Sequence, residues 1–441
     1  MTRGYFASGV FGHTLNFDRH YFWQPPGLAL ATSVIYRLFG FGIWQTRILP
    51  LVCGGLVVWL AGEIASELGA SGAGSLSASL LTAVDPRFIT TARGSRMDAP
   101  AIALLMAAFL IAVRKPRPAG ATASGVAAAA AVLTHPLSVV WIVPLVVVHW
   151  RESIRNAASF LLGGFGVGAT WLAWMLPSRE TFARQFIHHG ETRSSSGLLT
   201  RLPRNLTHFA QDFSRSPLVP VLAAFVLLGC AVPWRRSSER ARVILLLSGS
   251  VGVVALLLLD WNAGWYEQYW LPTIYIGAAV LVVDGKLVLR ALIAATIATG
   301  GVASYAGRGA VIARTWHSRD YSVVSSLVNR FVRRGDVVWG EPAVWYAVEW
   351  RGATLDLRDS DSPSVPLRPY PDPRREGLLI LRSPSHIRPS CFAALGYELV
   401  GATHGHADET YQLEVWRLTA ASSDSQARGV HPSACTGGPS G

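Results

Sequence analysis

Residues 47–67 read RILPLVCGGLVVWLAGEIASE, an almost unbroken apolar run closed by Glu63 and Glu67. A helix of about 20 such residues, rising 1.5 Å each, crosses the roughly 30 Å hydrocarbon core of a bilayer. Similar runs lie at 72–89, 99–113, 121–134, 137–150, 157–176, 217–234, 243–259, 270–283 and 287–305. About ten spans are therefore expected in a mainly α, polytopic bundle. Composition agrees: of 441 residues 51% are hydrophobic and 15% charged, against about 25% charged in soluble domains, which excludes an ordinary soluble protein.

Thirty-nine basic and 27 acidic residues leave a net charge of +12, carried almost wholly by arginine, since Lys115 and Lys286 are the only lysines. The arginines sit between apolar runs rather than along one amphipathic face, so nucleic acid is not the expected partner. With alternating spans, Arg114 to Arg117, Arg151 with Arg155, and the Arg235 to Arg242 cluster share one side. The positive-inside bias makes that side cytoplasm. The N-terminal forty residues, 93–98, 177–216, 260–269 and everything after Tyr305 then face outward. The outward 177–216 stretch holds Arg179, Arg184, Arg193, Arg201, Arg204 and Arg215 against the bias. Either a longer loop translocates regardless of charge, or these guanidinium forks serve an anion at the outer surface.

After Tyr305 the pattern changes. Val324, Leu327, Val328 and Phe331 fall at helical spacing before Gly335, and strand-like runs follow at 337–339, 378–381 and 413–416. The expected organisation is a membrane domain over 1–306, a small extracytoplasmic α/β domain over 307–420, and a polar, disordered tail over 421–441. Cys53 and Cys230 lie in apolar segments and Cys391 and Cys435 far apart, so no zinc-type spacing is present.

Three outward segments collect polar residues. His20 to Gly27 places Gln24 before Pro25-Pro26, a pair that starts a helix or anchors an aromatic interface. The stretch from Asp85 to Pro100 holds Arg93, Arg96 and Asp98 at a helix mouth. Asp98 alone could cap the next helix, which leaves the arginines without a reason. Asp85 lies deeper, where a carboxylate in a span is a functional candidate by default. Asp260 to Trp270 is dense in aromatics; a belt explains Tyr266 and Tyr269, whereas Glu267 and Gln268 could hydrogen-bond a sugar stacked on a ring. His188-His189 with Glu191 offers metal-ligand chemistry, although adjacent histidines rarely converge on one ion.

The order of these pieces resembles the GT-C glycosyltransferases, in particular family 39 and aminoarabinose-transferase-like proteins related to protein mannosyltransferases. The resembling stretches are YFWQPPGLALATSVIYRLFGFGIWQTRILP, ARGSRMDAPAIALLMAAF, GVAAAAAVLTHPLSVVWIVP and WYEQYWLPTIYIGAAVLV, spread over most of 21–283. The resemblance implies transfer of a sugar from a polyprenyl-phosphate carrier to an acceptor on the outer face of the plasma membrane. The acceptor would be a cell-envelope glycan, lipid or protein. No cofactor is implied beyond this donor, and a divalent metal stays open. Asp98 would be the catalytic carboxylate. Gln24, Arg93, Arg96, Tyr266, Glu267 and Tyr269 would bind substrate, Gln24 standing where relatives often place a lysine or histidine facing the donor phosphate.

The front of the chain departs from the family. Relatives carry one more helix and then an acidic pair in the first outer loop, whereas this sequence opens at Met1-Thr2-Arg3-Gly4 past that point. A missing N-terminal helix and acidic motif is the expectation here, with an inactive or accessory relative as the alternative. Asp18 precedes the Pro-Pro helix and does not take the acidic pair's role. Two other classes compete: a lipid-linked-sugar or small-molecule transporter, for which no internal repeat speaks, and a noncatalytic membrane scaffold.

Overall fold

The structure is a computed structural model that describes residues 22, 25–114, 117–193, 203–207, 211, 218–231, 249, 266–282, 287–314, 320–340, 342–357, 377–382, 396–403 and 412–419. The expected span over 243–259, the Arg235 to Arg242 cluster, Gln24 and the 421–441 tail lie outside these. The chain divides into two compact units, one of Phe22–Gly309 and one that includes Ala310–Gly441.

The first unit is a helical bundle. Its helices are α1 (Gly27–Phe39), α2 (Ile43–Glu67), α3 (Gly72–Val84), α4 (Pro86–Ala92), α5 (Asp98–Arg114), α6 (Pro118–Val132), α7 (Ile142–Glu152), α8 (Ile154–Met175), α9 (Arg179–Arg193), α10 (Leu218–Ala231), α11 (Leu271–Val282), α12 (Leu287–Gly301) and the start of α13 (Arg308–Arg314). The core lies between α2, α5 and α6, where Val57, Leu60, Ile64, Ile102, Leu105, Phe109 and Ala128 are buried. Leu51, Val52, Trp59, Leu162 and Phe165 remain exposed, as lipid-facing side chains of a bundle in hydrocarbon would. Among the described residues three helical stretches, Ile43–Glu67, Ile154–Ile187 and Leu287–Arg314, are long and apolar enough to cross a membrane, and several shorter apolar helices accompany them.

Local chemistry explains where the structure departs from the run-length reading. The 72–89 run is not one helix: Asp85 sits at φ −66°, ψ 119° and separates α3 from α4. A residue before proline is pushed out of the α region, and Pro86 then serves as the first residue of the next helix. The same rule opens 137–150, where His135 is extended and Pro136–Trp141 forms a 3₁₀ turn ahead of α7. The 177–216 segment, expected as an outward loop, is helical over Arg179–Arg193. The last run extends beyond Tyr305 through a π-helical segment, Val302–Gly307, into α13.

That π segment closes the break at Asp85. Ser304 Oγ donates to the Val84 carbonyl (2.6 Å), Tyr305 Oη to Ala83 (2.9 Å), and Arg308 Nη2 to Pro86 (2.7 Å). Carbonyls freed at a helix end need such partners when no water is at hand.

The second unit is a five-stranded sheet ordered β2-β1-β3-β5-β4, with β1 (Val337–Gly340), β2 (Thr354–Leu357), β3 (Leu378–Arg382), β4 (Tyr397–Ala402) and β5 (Leu413–Leu418). β1 pairs parallel with β2 and β3, while β5 pairs antiparallel with β3 and β4. Helix α14 (Ser322–Phe331) buries Val324, Leu327 and Val328, the expected stripe. Gly335 takes φ +88° before β1. β2, β4 and the short helix α15 (Trp345–Trp350) were not expected; β2 and α15 are too short for a clear period, and β4 breaks register between Leu399 and Gly401.

Candidate active site

Three segments of the bundle meet around Asp98, the first residue of α5, and His135, and a fourth seats on the turn that carries His135. Its carboxylate is fully buried; Oδ2 accepts from Arg96 Nε at 2.8 Å, while Oδ1 has no hydrogen bond among the described residues. Arg96 is about a third exposed, so the pair spans from the interior to the rim. His135 faces Asp98, with Nε2 3.7 Å from Oδ1. Its imidazole caps the 3₁₀ turn by accepting from the Leu137 amide at 3.1 Å.

The third segment is the turn Glu267–Tyr269 before α11. It lays Tyr266 and Tyr269 against His135, ring centroids 5.6 and 5.3 Å away. The fourth is the chain entering α1. Phe22 is buried against Trp174 and Phe182 of α8 and α9, and its amide donates to Gln185 Oε1 at 2.7 Å. Gly27 N–H bonds the Leu133 carbonyl at 2.7 Å, and a Cβ there would meet Leu133 O and Thr134 Oγ1 at 2.6 Å. Only glycine lets the Pro-Pro helix seat on the turn that carries His135.

Beside this group lies a second buried network. Asp85 Oδ1 caps α4 by accepting from the amides of Arg87 (2.8 Å) and Phe88 (3.0 Å). Its Oδ2 accepts from Arg87 Nη2 (2.7 Å) and Tyr275 Oη (2.6 Å). Arg87 Nη1 reaches across to Glu267 Oε2 at 2.8 Å, and Glu267 is fully buried. Arg87 thereby ties the α3–α4 break to the turn that presents Tyr266 and Tyr269. A charge taken from water needs a partner with good geometry, and here one guanidinium serves two carboxylates.

Of the residues expected at the site, Arg96, Asp98, Tyr266 and Tyr269 come together around His135. Arg93 is exposed on the same turn and forms no ion pair among the described residues. Glu267 is adjacent in sequence, but its carboxylate points to Arg87. The side chains of His188, His189 and Glu191 lie outside the described residues, and among those described no three His, Cys, Asp or Glu gather as a metal site would require. Sequence reasoning missed His135 and Arg87. A charge within an apolar run was the available signal for Arg87.

The model for dolichyl-phosphate-mannose-protein mannosyltransferases matches residues 23–174, about a third of the chain, which holds Arg93, Arg96, Asp98 and His135. No curated protein sequence matches. The chain superposes on ArnT from Cupriavidus metallidurans, solved bound to undecaprenyl phosphate, with TM-score 0.60 and 14% identity over 91% of this chain and 89% of that one. The chain has the GT-C glycosyltransferase fold. A second GT-C structure, the arabinofuranosyltransferase AftD from Mycobacteria, superposes with TM-score 0.53 and 17% identity over 88% of this chain and 36% of that chain. This GT-C bundle thus brings the polar segments at 85–100 and 260–270 together beside His135.

Proposed function

We propose that the chain is an integral membrane glycosyltransferase that moves a sugar from a polyprenyl-phosphate carrier to an acceptor on the extracytoplasmic side. The observation that carries this reading is the buried Asp98 carboxylate, one oxygen fixed by Arg96 and the other without a hydrogen bond among the described residues, 3.7 Å from His135, whose ring Tyr266 and Tyr269 flank. That is the arrangement of a general base beside rings on which a sugar can rest.

In the proposed reaction the acceptor hydroxyl gives its proton to Asp98 Oδ1 as its oxygen bonds the anomeric carbon. The bond from that carbon to the phosphate oxygen breaks, and the polyprenyl phosphate leaves with the electron pair. Arg93 and Arg96 stabilise the charge developing on the phosphate, since preorganised donors in a water-poor site act strongly there. Gln24 adds a neutral donor to the same phosphate. Tyr266 and Tyr269 hold the sugar, and Glu267 acts on it by fixing their turn through Arg87. A lipid carrier is the donor partner, and a glycan, lipid or protein of the envelope is the acceptor.

The test is transfer by the purified full chain in proteoliposomes supplied with polyprenyl-phosphate sugars. Product formation that is lost in a folded Asp98→Asn variant supports the reading. Absence of product in vesicles that nevertheless carry the lipid-linked sugar across the bilayer would overturn it in favour of a transporter.

A further inference from the structure

His135 enters the site with its protonation state fixed by the backbone. Pro136, first in the 3₁₀ turn, has no N–H, so the Leu137 amide is the first donor the turn must satisfy. That amide donates to His135 Nδ1 at 3.1 Å. A backbone N–H is always a donor, so Nδ1 carries no proton and the neutral ring holds its hydrogen on Nε2. Nε2 points at Asp98 Oδ1, 3.7 Å away. This is just beyond hydrogen-bond length, a gap of the kind that tightens when substrate fills a site. The ring is half-clamped by Tyr266 and Tyr269, which meet it at 64° and 46°, and it is 5% exposed.

We propose that His135 is a positioning residue for Asp98: a neutral imidazole whose Nε2–H orients the Oδ1 lone pair, and which does not exchange protons during turnover. This rests on the reading of Asp98 as the base. Taking up a second proton would place a hydrogen on Nδ1 against the Leu137 N–H and break the cap. His135 is therefore a fixed donor rather than a second base or an acid. Among the described residues, the charged or titratable groups beside Asp98 are Arg96 from the turn before α5 and His135 from the α6–α7 hairpin, with Tyr269 from the turn before α11 lying against the His135 ring. Arg87 and Glu267 are engaged with each other.

Two substitutions separate this role from simple capping. His135→Asn keeps an acceptor at the Nδ1 position, asparagine being a good N-cap, and deletes the group at Nε2. His135→Gln reaches the Nε2 position with an amide N–H and gives up the cap. Hydrogen bonds to charged groups are among the stronger ones, so losing the donor leaves Asp98 Oδ1 without its orienting partner. The expectation for His135→Asn is normal folding and a loss of about tenfold or more in kcat with KM little changed. His135→Gln restores part of kcat. Wild-type kcat in a folded His135→Asn would leave His135 as a cap alone and overturn the proposal. So would a folded His135→Gln no better than His135→Asn.

A measurement independent of turnover uses full-length protein with ¹⁵N-labelled histidine in detergent. The ring signals that disappear in His135→Asn must be those of a neutral Nε2–H ring across about pH 6 to 8. Signals of an Nδ1–H ring or an imidazolium would overturn the assignment even with transfer intact. A wild-type chain that transfers no sugar but shows the Nε2–H ring would instead remove the enzymatic reading and leave the tautomer standing.

Discussion

Asp85 and Asp98 are both buried carboxylates, and their surroundings assign them different work. Both oxygens of Asp85 are occupied by the α4 amides, Arg87 and Tyr275, so no edge remains for a substrate. Asp98 keeps Oδ1 without a hydrogen bond among the described residues. Asp98→Asn is therefore expected to lower transfer by about 10²- to 10⁴-fold with thermal unfolding in detergent unchanged. Asp85→Asn leaves Arg87 without its full partner; breaking a buried pair costs about 3–5 kcal/mol, so a lowered unfolding temperature should precede any effect on turnover. An Asp85→Asn protein as stable as wild type but inactive would reverse the two assignments. Asp98 and Arg96 were legible in the sequence because opposite charges at a span mouth are costly beside lipid and stand out against the apolar run that follows. His135 was not, because its role depends on which nitrogen meets the Leu137 amide, a matter of coordinates. Glu267 was read as facing sugar because nothing in its neighbourhood of aromatics names Arg87, 180 positions away.

At the scale of elements, α6 and α8 meet backbone to backbone. A Cβ on Gly125 would enter the Phe160 carbonyl, and one on Gly163 would enter the Thr122 carbonyl, both well inside contact distance. Small residues allow such an approach where lipid supplies no hydrophobic drive between helices. Gly125→Leu should force the helices apart and sharply reduce the monodisperse fraction recovered from membranes, whereas Gly166→Leu, with open space at its Cβ, should be neutral. Equal recovery of both would show that the contact is not needed. The π segment makes a second case. Joint Ser304→Ala and Tyr305→Phe would unpair the Val84 and Ala83 carbonyls, at about 1–3 kcal/mol for the Val84 group left buried. Midpoint measurements in denaturant would read the loss. The α3–α4 break that requires these bonds was encoded by Pro86, but apolar content over 72–89 hid it, since run length registers hydrophobicity and not the backbone's need for partners.

For the whole molecule, the decisive property is which end of the bundle faces the cytoplasm. Glu63 and Glu67 at the end of α2 pair with Arg114 at the end of α5, Glu67 at 2.5 Å from Nε, so these two helices finish at one end. Arg117, Arg151 and Arg155 belong to connections of the same parity. The Arg96–Asp98 pair opens α5, at the opposite end, together with His135 and the Tyr266–Tyr269 turn. Cationic connections favour the cytoplasm, so the proposed site is expected outward, where lipid-linked rather than nucleotide-linked sugars would serve as donors. Single cysteines at Ser95 and Arg151, both exposed, test this in a chain whose four native cysteines have been replaced. A membrane-impermeant maleimide applied to intact cells should label Ser95→Cys, and label Arg151→Cys after permeabilisation alone. The reverse pattern would put Asp98 on the cytoplasmic side, and with it the donor's phosphate, so that the reaction proposed here would have to run on the opposite face of the membrane.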